Sequence, residues 1–284
     1  MAQIKKFSKA ALVNQLRHVD RKIKYPKNTD IDFDRSRNNY VLSPDRKMSS
    51  YDYLKQRIGE LHHANREDIR FMAGWVITAP KELETDQEID VFFRACYDFL
   101  SARYGEKNCV RAAVHKDESG RPHLHFDFIP VTKNNNPMNE NIKRAKRLRE
   151  EEPDWTLSQM AEKLECSKSA VHKWLNMETQ PEEKICANDV LNKKELMRFH
   201  PDLQKYLNKN GIKGKVVTGI TKRQGGNMTV DQLKAQRNHL LEHGDNIDAV
   251  IKSIDAAISL VEASEEIDQN TMTEHGVEIT NFDL

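Results

Sequence analysis

One stretch of 17 residues, HKDESGRPHLHFDFIPV (115–131), constrains the fold more than any other part of the chain. From His123 to Phe128 polar and apolar side chains alternate, as they do in a strand with two different faces. The preceding KDESGRP is rich in turn-forming residues, and CVRAAVH (109–115) has the composition of a strand. The sequence therefore predicts an antiparallel hairpin with an apolar face that points into a core: Leu124, Phe126 and Phe128.

The opposite face of this hairpin concentrates histidine. His123 and His125 share that face, and a short turn would bring His115 beside them. Three neutral imidazoles that leave coordination positions open suit a catalytic metal, and Glu118 in the turn could add an oxygen ligand or orient a histidine. The competing interpretation is a row of surface histidines. The spacing alone does not separate zinc hydrolase chemistry from phosphoryl transfer.

The segments around the hairpin predict an α+β domain. AGWVIT (73–78) has the pattern of a buried strand, and a helix follows it with a capping box at Thr85–Glu88 and a stop at Gly105. Strand, helix, strand and strand in this order favour a sheet with helices covering one face. A helical region over 189–209 is expected to bend or break near His200–Pro201, because proline disrupts helices.

Charge is distributed unevenly along the chain. Residues 1–227 carry a net charge of +10 and residues 228–284 carry −9. A basic body suits nucleic acid binding, whereas the competing interpretation is an ordinary solvated surface. The four cysteines are scattered and indicate no disulfide framework. Because no apolar stretch has the length of a membrane span or the pattern of a signal peptide, we expect a cytoplasmic protein without membrane insertion.

Residues 133–183 have a character of their own. A basic segment, KRAKRLR (143–149), precedes TLSQMAEKLECSKSAVHKWLN (156–176), whose apolar spacing predicts a helix-turn-helix with Ser167 as the cap of its second helix. Glu165 stands where a turn glycine is usual. The outward residues of the second helix are predicted to contact DNA: Lys168, Ser169, His172 and Lys173. The competing interpretation is a helical hairpin that only packs against the body.

Further motifs, taken together, resemble the Mob/Pre family of MobV-type relaxases, which are plasmid recombination and mobilisation enzymes. VHKDESGRPHLHFDFIPV resembles the family's histidine motif, and RHVDR (17–21) resembles its first motif. SRNNYVLS (36–43) resembles its Asn-Tyr motif, and REDIRFMAGWVIT (66–78) the segment that leads into its Trp-containing strand. KICANDVLNKKELMRFHPDLQKYLNKNG (184–211) is similar to the helix after the catalytic sheet. The family order of these motifs is more specific than any one of them.

This resemblance implies an antiparallel sheet of the HUH-endonuclease type, covered by helices. It implies a metal-dependent, origin-specific DNA strand transferase that nicks one strand at a plasmid transfer origin, stays joined to the 5′ phosphate and rejoins the ends. It also implies a divalent metal ion, Mn²⁺ or Mg²⁺. The residue roles it implies are His115, His123 and His125 as metal ligands, Glu118 nearby, His18 as the nucleophile, and Arg21 and Tyr40 as active-site helpers.

Several of these assignments have alternatives. Tyr40 is either the competing nucleophile or a packing residue. Arg21 is either an active-site helper or a plain phosphate contact. For Asn39, in the Asn-Tyr motif, the competing interpretation is that it only shapes a turn. The turn before His123 is one residue longer than in relatives whose motif reads HxDExxPHxH, which moves Glu118 relative to the strand. Three further basic residues are predicted to contact DNA: Arg17, Lys22 and Arg66.

The predicted organisation has four segments. They are a relaxase catalytic core (1–132), an inserted basic helix with a helix-turn-helix (133–183), the remainder of the core (184–227) and a helical, acidic C-terminal region (228–284). The expected partners are plasmid DNA, as a single strand at the nick with flanking duplex, and a coupling protein or accessory proteins. Apolar residues of the C-terminal region suit either a homodimer or packing on the same chain. The competing functions are a non-catalytic DNA-binding regulator of plasmid genes and a metallohydrolase unrelated to DNA.

Overall fold

The computed structural model describes residues 2–23 and 31–217, together with Ala235, His239 and Ile254. The strands within these ranges are β1 (Ala2–Phe7), β2 (Tyr40–Val41), β3 (Met72–Thr78), β4 (Cys109–His115), β5 (His123–Phe128), β6 (Val131–Lys133) and β7 (Glu183–Ile185). The helices are α1 (Leu12–Val19), α2 (Ser50–Gly59), α3 (Asp86–Tyr104), α4 (Pro137–Glu151), α5 (Leu157–Lys163), α6 (Lys168–Leu175), α7 (Ala187–Val190) and α8 (Lys193–Lys209).

Five strands form one antiparallel sheet in the order β1-β3-β5-β4-β2. The predicted hairpin of β4 and β5 is present, and its register pairs His115 with His123 and Ala113 with His125. On the other side of β5, β3 pairs Thr78 with His123. The histidine strand is therefore the central strand of the sheet. Strand β1, which the sequence analysis did not identify, extends the sheet beyond β3.

One face of the sheet packs against α3 and α8. The alternating apolar residues of β5 enter this core and are completely buried: Leu124, Phe126 and Phe128. Helix α3 begins at the predicted capping box, in which the side chains of Thr85 and Glu88 each accept a hydrogen bond from the other's backbone N–H. Trp75 of β3 stacks on Phe199 of α8 with ring centroids 3.5 Å apart. These contacts hold the apolar side of the histidine strand in place.

The other face of the sheet is covered as well, by α1 and α2. Phe7 of β1, Leu16 of α1 and Ile58 of α2 belong to a second apolar cluster on this side. Helices therefore cover both faces, and the expectation that they cover one face was wrong. Apolar residues of α1 recur at helical spacing, at Leu12, Leu16 and Val19, but the sequence analysis made no prediction for this segment. Because α1 lies over this face, the histidines on it are buried.

The helical region after the sheet is continuous at the point where a break was expected. Helix α8 runs through Pro201, and the interruption comes earlier, at Leu191 and Asn192 between α7 and α8. Three side chains on one side of α8 are completely buried: Phe199, Leu203 and Leu207. Their packing offsets the one backbone hydrogen bond that proline removes.

Helices α4, α5 and α6 form a small unit with an apolar cluster of its own. Met160 of α5 and Val171 of α6 are completely buried in it, beside Leu148 of α4. Helices α5 and α6 are the predicted helix-turn-helix, and Ser167 caps α6 by accepting a hydrogen bond from a backbone N–H. At the base of the unit β6 pairs with β7, a ladder that was not predicted. The boundaries of the four segments stay a prediction.

The C-terminal region that was expected to be helical (228–284), and with it any dimer contact, lies outside the described residues apart from three isolated positions. Among the helices that are described, none is both long enough and apolar enough to cross a membrane.

Candidate active site and metal centre

Four histidines meet on the side of the sheet that α1 covers. His123 and His125 lie on β5 and His115 ends β4, so the pleat and the hairpin register place their side chains on one face. His18 reaches the same place from α1, with its ring centroid 5.7 Å from that of His115 and 5.3 Å from that of His125. None of the four exposes more than 6% of its surface. The surface-histidine interpretation therefore does not apply to them.

Ring nitrogens converge within this cluster. Nε2 of His123 and Nε2 of His125 are 3.1 Å apart. Nε2 of His115 lies 3.0 Å from the carbonyl oxygen of Val19. Because a carbonyl only accepts hydrogen bonds, His115 carries its proton on Nε2 and keeps the lone pair on Nδ1. One ligand atom each of His18, His115 and His125 lie within 4.8 Å of one another.

Glu118 supplies a carboxylate to the cluster in spite of the longer turn. Its Oε1 atom lies 3.9 Å from His115 Nδ1 and 3.7 Å from His123 Nε2. Burial raises the pKa of this carboxyl, but His123, His18 and Arg21 together lower the pKa by more, so the net shift is downward. Glu118 is therefore an ionised oxygen donor at neutral pH.

The donor set fits a divalent cation. Four buried polar atoms of the cluster have no hydrogen-bond partner among the described residues: His18 Nε2, His115 Nδ1, Glu118 Oε2 and His125 Nδ1. Burial, with a further contribution from neighbouring positive charge, lowers the pKa of His115 and of His125 well below the usual value, so both rings are neutral. Neutral imidazoles beside an ionised carboxylate are ligands that Mn²⁺ and Zn²⁺ accept, and an ion would satisfy atoms that are costly to leave unpaired.

His18 is also a neutral imidazole. Burial is the largest cause and, together with Arg21 and His123, lowers the pKa of the ring to about 4 against the opposing effects of Glu118 and Asp117. Its unpartnered Nε2 is available either to a metal ion or to a phosphorus atom. The geometry alone leaves both uses open.

Arg21 does not present a free guanidinium to the cluster. It follows α1 in a left-handed backbone conformation, with φ of 53°. Its Nε and Nη2 donate to the two carboxylate oxygens of Asp117 at 2.9 and 2.6 Å, and Nη2 also donates to Glu118 at 2.7 Å. Two acids therefore neutralise the cation that the sequence analysis assigned as an active-site helper or a phosphate contact.

Asp117 is a site residue that the sequence analysis missed. It is completely buried. Besides Arg21 it accepts hydrogen bonds from Ser36 Oγ at 2.7 Å and Asn39 Nδ2 at 2.6 Å. Burial raises its pKa, but these donors outweigh burial and bring the pKa to about 2. Asn39 therefore links two segments and does more than shape a turn. The available signal was a second acid beside Glu118 in the histidine turn.

Tyr40 does not join the histidine cluster. It lies on β2 opposite Val114, and residues opposite each other in a sheet point to the same face. Tyr40 therefore faces the α3 core, whereas the neighbouring His115 points away from it. Its hydroxyl donates to Asp90 at 2.6 Å, and burial raises its pKa. The structure corrects the expectation that Tyr40 acts at this site as a helper or as the competing nucleophile.

A second missed contact holds α1 against the histidine strand. Asp127 is the next residue on the histidine face of β5, and Gln15 of α1 donates to its two oxygens at 3.1 and 3.0 Å. Both side chains are buried, and burial raises the pKa of Asp127 to about 7. The alternating pattern placed Asp127 on this face, but no pattern in α1 identified its partner. The contact lies on the helix that carries His18.

Comparison with known proteins adds the family. The family model described as plasmid recombination enzyme, Mob_Pre, matches residues 1–173. This chain belongs to that family. The resemblance inferred from the ordered motifs is therefore confirmed.

Curated members of the Mob_Pre family match this chain over part of their own length. The plasmid recombination enzyme of Bacillus thuringiensis is 30% identical over 151 residues, which are 52% of this chain and 34% of that protein. The one of Lactiplantibacillus plantarum is 24% identical over 246 residues, which are 84% of this chain and 54% of that protein. The matched region thus spans about a third of the first relative and about half of the second.

The fold is that of a solved Mob_Pre relaxase domain. The MobM relaxase domain (MOBV), in a Mn-bound structure with plasmid pMV158 oriT DNA, aligns with a TM-score of 0.56 at 22% identity. The alignment covers 83% of this chain and 97% of that domain. The predicted α+β architecture with a relaxase-type antiparallel sheet is therefore confirmed.

The residues predicted to contact DNA in this Mob_Pre chain lie at three separate places. Arg17 directly precedes His18 on α1, and Lys22 lies three residues beyond the end of that helix; both are exposed. Arg66 precedes β3, at the opposite end of that strand from the Thr78–His123 pair, and forms an ion pair with Asp68. The four predicted residues of α6 are all exposed: Lys168, Ser169, His172 and Lys173. The structure brings none of the α6 residues into the histidine cluster, and all these DNA contacts stay predictions.

Proposed function

We propose that this chain is a metal-dependent relaxase that nicks one strand of plasmid DNA at a transfer origin. It joins the 5′ phosphate covalently and later rejoins the strands, which initiates plasmid mobilisation or recombination. The observation that carries the proposal is the meeting of His18 with three histidines and Glu118 in a chain of the plasmid recombination enzyme family. The Mn and the oriT DNA of the MobM structure support the choice of metal and substrate.

In this proposal His115, His123 and His125 hold Mn²⁺ or Mg²⁺, and Glu118 offers a further oxygen. A bound divalent ion supplies polarisation of a phosphate oxygen and offsets the negative charge that develops during strand transfer. His115 is prepared for this role, because its bond to the carbonyl of Val19 fixes the tautomer with a lone pair on Nδ1.

His18 is the proposed nucleophile. With a pKa of about 4 its ring is neutral at pH 7, so a nitrogen lone pair is available without a strong base. A nitrogen–phosphorus bond forms, the bond from phosphorus to the 3′ oxygen breaks, and that oxygen leaves and takes up a proton from solvent. Attack by the 3′ hydroxyl on the same phosphorus reverses the step and releases His18.

Arg21 is proposed as a positioning residue. Its Nη1 donates to the carbonyl oxygen of His18 at 3.4 Å while its other nitrogens bind Asp117 and Glu118. This bridge connects the end of α1 to the turn of the histidine hairpin. It therefore holds the nucleophile and the carboxylate of Glu118 in one arrangement.

Nicking of supercoiled DNA tests the proposal. The full chain is incubated with Mn²⁺ or Mg²⁺ and plasmids that carry candidate origins, and relaxed circles with protein on a 5′ end are counted. We expect His18→Ala to reduce the yield of these relaxed circles by at least about 1,000-fold, as loss of a nucleophile does. The yield with Tyr40→Phe should stay within about threefold of that with the parent chain. If no origin is nicked with either metal, the relaxase proposal fails. Loss of nicking in Tyr40→Phe alone would transfer the nucleophile to Tyr40.

Titration calorimetry with Mn²⁺ distinguishes whether the His18 nitrogen attacks phosphorus or binds the metal ion. If His18 attacks phosphorus, His18→Ala should bind Mn²⁺ with an affinity within about threefold of the parent chain, whereas His123→Ala should lose at least about tenfold. Equal losses in the two variants would make His18 a metal ligand, and the nucleophile would have to be sought elsewhere.

A further inference from the structure

We propose that the exposed face of α6 is a second DNA site, which reads double-stranded DNA through its major groove. Every residue of the histidine cluster lies before residue 126, so the cluster is complete without the unit of α4, α5 and α6. That unit nevertheless has a folded apolar cluster of its own. This inference depends on the proposed function in one respect, namely that the duplex is plasmid DNA beside the nicked strand.

The shape of the unit suits a groove. Helix α6 has eight residues, and an α-helix with its side chains is about 10–12 Å across, which the major groove of B-form DNA, about 12 Å wide, can accommodate. Glu165 makes the sharp turn before it, in a left-handed conformation with φ of 54°. Val171 points inward and is completely buried. The residues on the opposite side of α6 are therefore the ones that a groove would meet, as in helix-turn-helix proteins.

The exposed face carries donors and positive charge. Lys168, His172 and Lys173 lie on it, and the segment KSAVHKWL that forms α6 contains no acid. Arg144 and Arg147 are exposed one turn apart on α4, the helix against which α6 packs. Within the described part of the chain, neither these two arginines nor the lysines of α6 form an ion pair. Cations without an acidic partner are free to bind phosphates.

Duplex DNA fits this face better than RNA or a protein. Within residues 137–176 the structure leaves no large hydrophobic side chain exposed, so an apolar protein surface has nothing to bury there. The major groove of A-form RNA is too narrow for a helix. Lys, Ser and His side chains on a short helix are, in contrast, suited to base edges and phosphates of B-form DNA.

Hydrogen bonds close the base of the unit beside the β6–β7 ladder. Gln180, which follows α6, accepts hydrogen bonds through its side-chain oxygen from Asn136 at 2.9 Å and from Asn134 at 3.3 Å. Its backbone N–H and carbonyl both bond to the side chain of Asn139 on α4, at 2.9 and 3.0 Å. This network and the β6–β7 ladder, which begins three residues after the end of β5, connect the unit to the histidine hairpin. The duplex site and the nick would therefore lie a fixed number of base pairs apart.

Selection from a randomised pool tests the second site. The full chain is offered 40-base-pair DNA duplexes with 20 random central positions, the same pool as single strands, and an RNA duplex pool. We expect the parent chain to enrich a duplex DNA motif, and Lys168→Ala with Lys173→Ala to weaken duplex binding at least about tenfold. The slope of log Kd against log salt should become shallower by about 1–2.

Lys205→Ala with Lys209→Ala is the matched control, because it removes two exposed lysines from α8 and has the same net charge. Equal weakening of duplex binding in both double variants would show that only overall charge matters, and would overturn the proposal. Unchanged duplex binding in the α6 variant, or a preference of the parent chain for the RNA pool, would also overturn it. Cleavage of a single-stranded origin oligonucleotide is measured in parallel. The α6 variant should retain that cleavage, so failure of the second site and failure of the relaxase proposal give different results.

Discussion

Gly74 is the residue that lets Asp127 lie beneath the histidines. The two residues are partners across β3 and β5, and a Cβ atom at position 74 would overlap Oδ1 of Asp127 and come within 3.0 Å of the Phe7 ring. Asp127 has little freedom to move, because it is completely buried and both of its oxygens accept from Gln15. Space on the sheet, and not backbone conformation, therefore requires glycine here.

We expect Gly74→Ala to lower the free energy of unfolding by about 1–3 kcal/mol, since an added methyl group in a filled core forces its neighbours to shift. Gly59→Ala is the control, because a Cβ there meets nothing within 4 Å. That variant should be neutral or slightly stabilising, since alanine restricts the unfolded chain more than glycine. Urea unfolding of both variants checks the difference, and equal stability would show that Asp127 moves without cost.

Single residues of the site were predictable only where the signal was local. His115, His123 and His125 could be grouped because one hairpin brings them together, and the alternation of β5 gave their common face. Tyr40 could not be placed from its motif, because its direction depends on the register of β2 on β4. The contacts of Asp117 with Arg21 span nearly a hundred residues, so no local pattern reports them.

The turn between α5 and α6 stores strain in one residue. Glu165 has φ of 54°, a conformation that costs an L-residue with a side chain about 1 kcal/mol more than glycine. A turn glycine is usual at this place in a helix-turn-helix. Its absence looked like a departure from the motif in the sequence, and the structure shows that Glu165 adopts the glycine conformation.

Glu165→Gly is expected to raise the opening free energy of the α5–α6 hairpin by about 0.5–1 kcal/mol, by relieving this strain. Glu162→Gly removes the same charge from the exposed side of α5, where glycine should lower the opening free energy by a similar amount. Amide hydrogen exchange of α5 and α6 in the full chain measures both. Faster exchange in Glu165→Gly than in the parent would contradict the strain argument.

Elements with strong periodic or capping signals were predicted well, and elements that depend on distant packing were not. Helix α3 begins and ends as its capping box and Gly105 indicate. Helix α8 continues through Pro201 because the sheet buries one of its sides, which a local breaker rule does not include. The short strands β6 and β7 pair across about fifty residues, and neither is long enough to show a period.

At the scale of the whole molecule, the histidine cluster joins separate parts of the chain. Helix α1 covers one face of the sheet and brings His18, while the central hairpin brings the other three histidines and Glu118. The opposite face, packed against α3 and α8, has no role in holding these groups except to keep β5 in position. A metal ion at the cluster would therefore bind the folded chain and not the unfolded one, which couples metal affinity to global stability.

Mn²⁺ is accordingly expected to stabilise the fold against heat. At a free concentration about 100 times Kd, the free energy of unfolding should rise by about 2.7 kcal/mol, and the Tm by about 5–10 °C for a chain of this size. Thermal unfolding is recorded for each variant with Mn²⁺ and with a chelator, so that the variant's own change in stability cancels. His123→Ala should lose most of the increase, whereas His172→Ala, which removes an exposed histidine of α6, should keep it. An increase of the same size in His123→Ala would place the stabilising ion somewhere other than the histidine cluster.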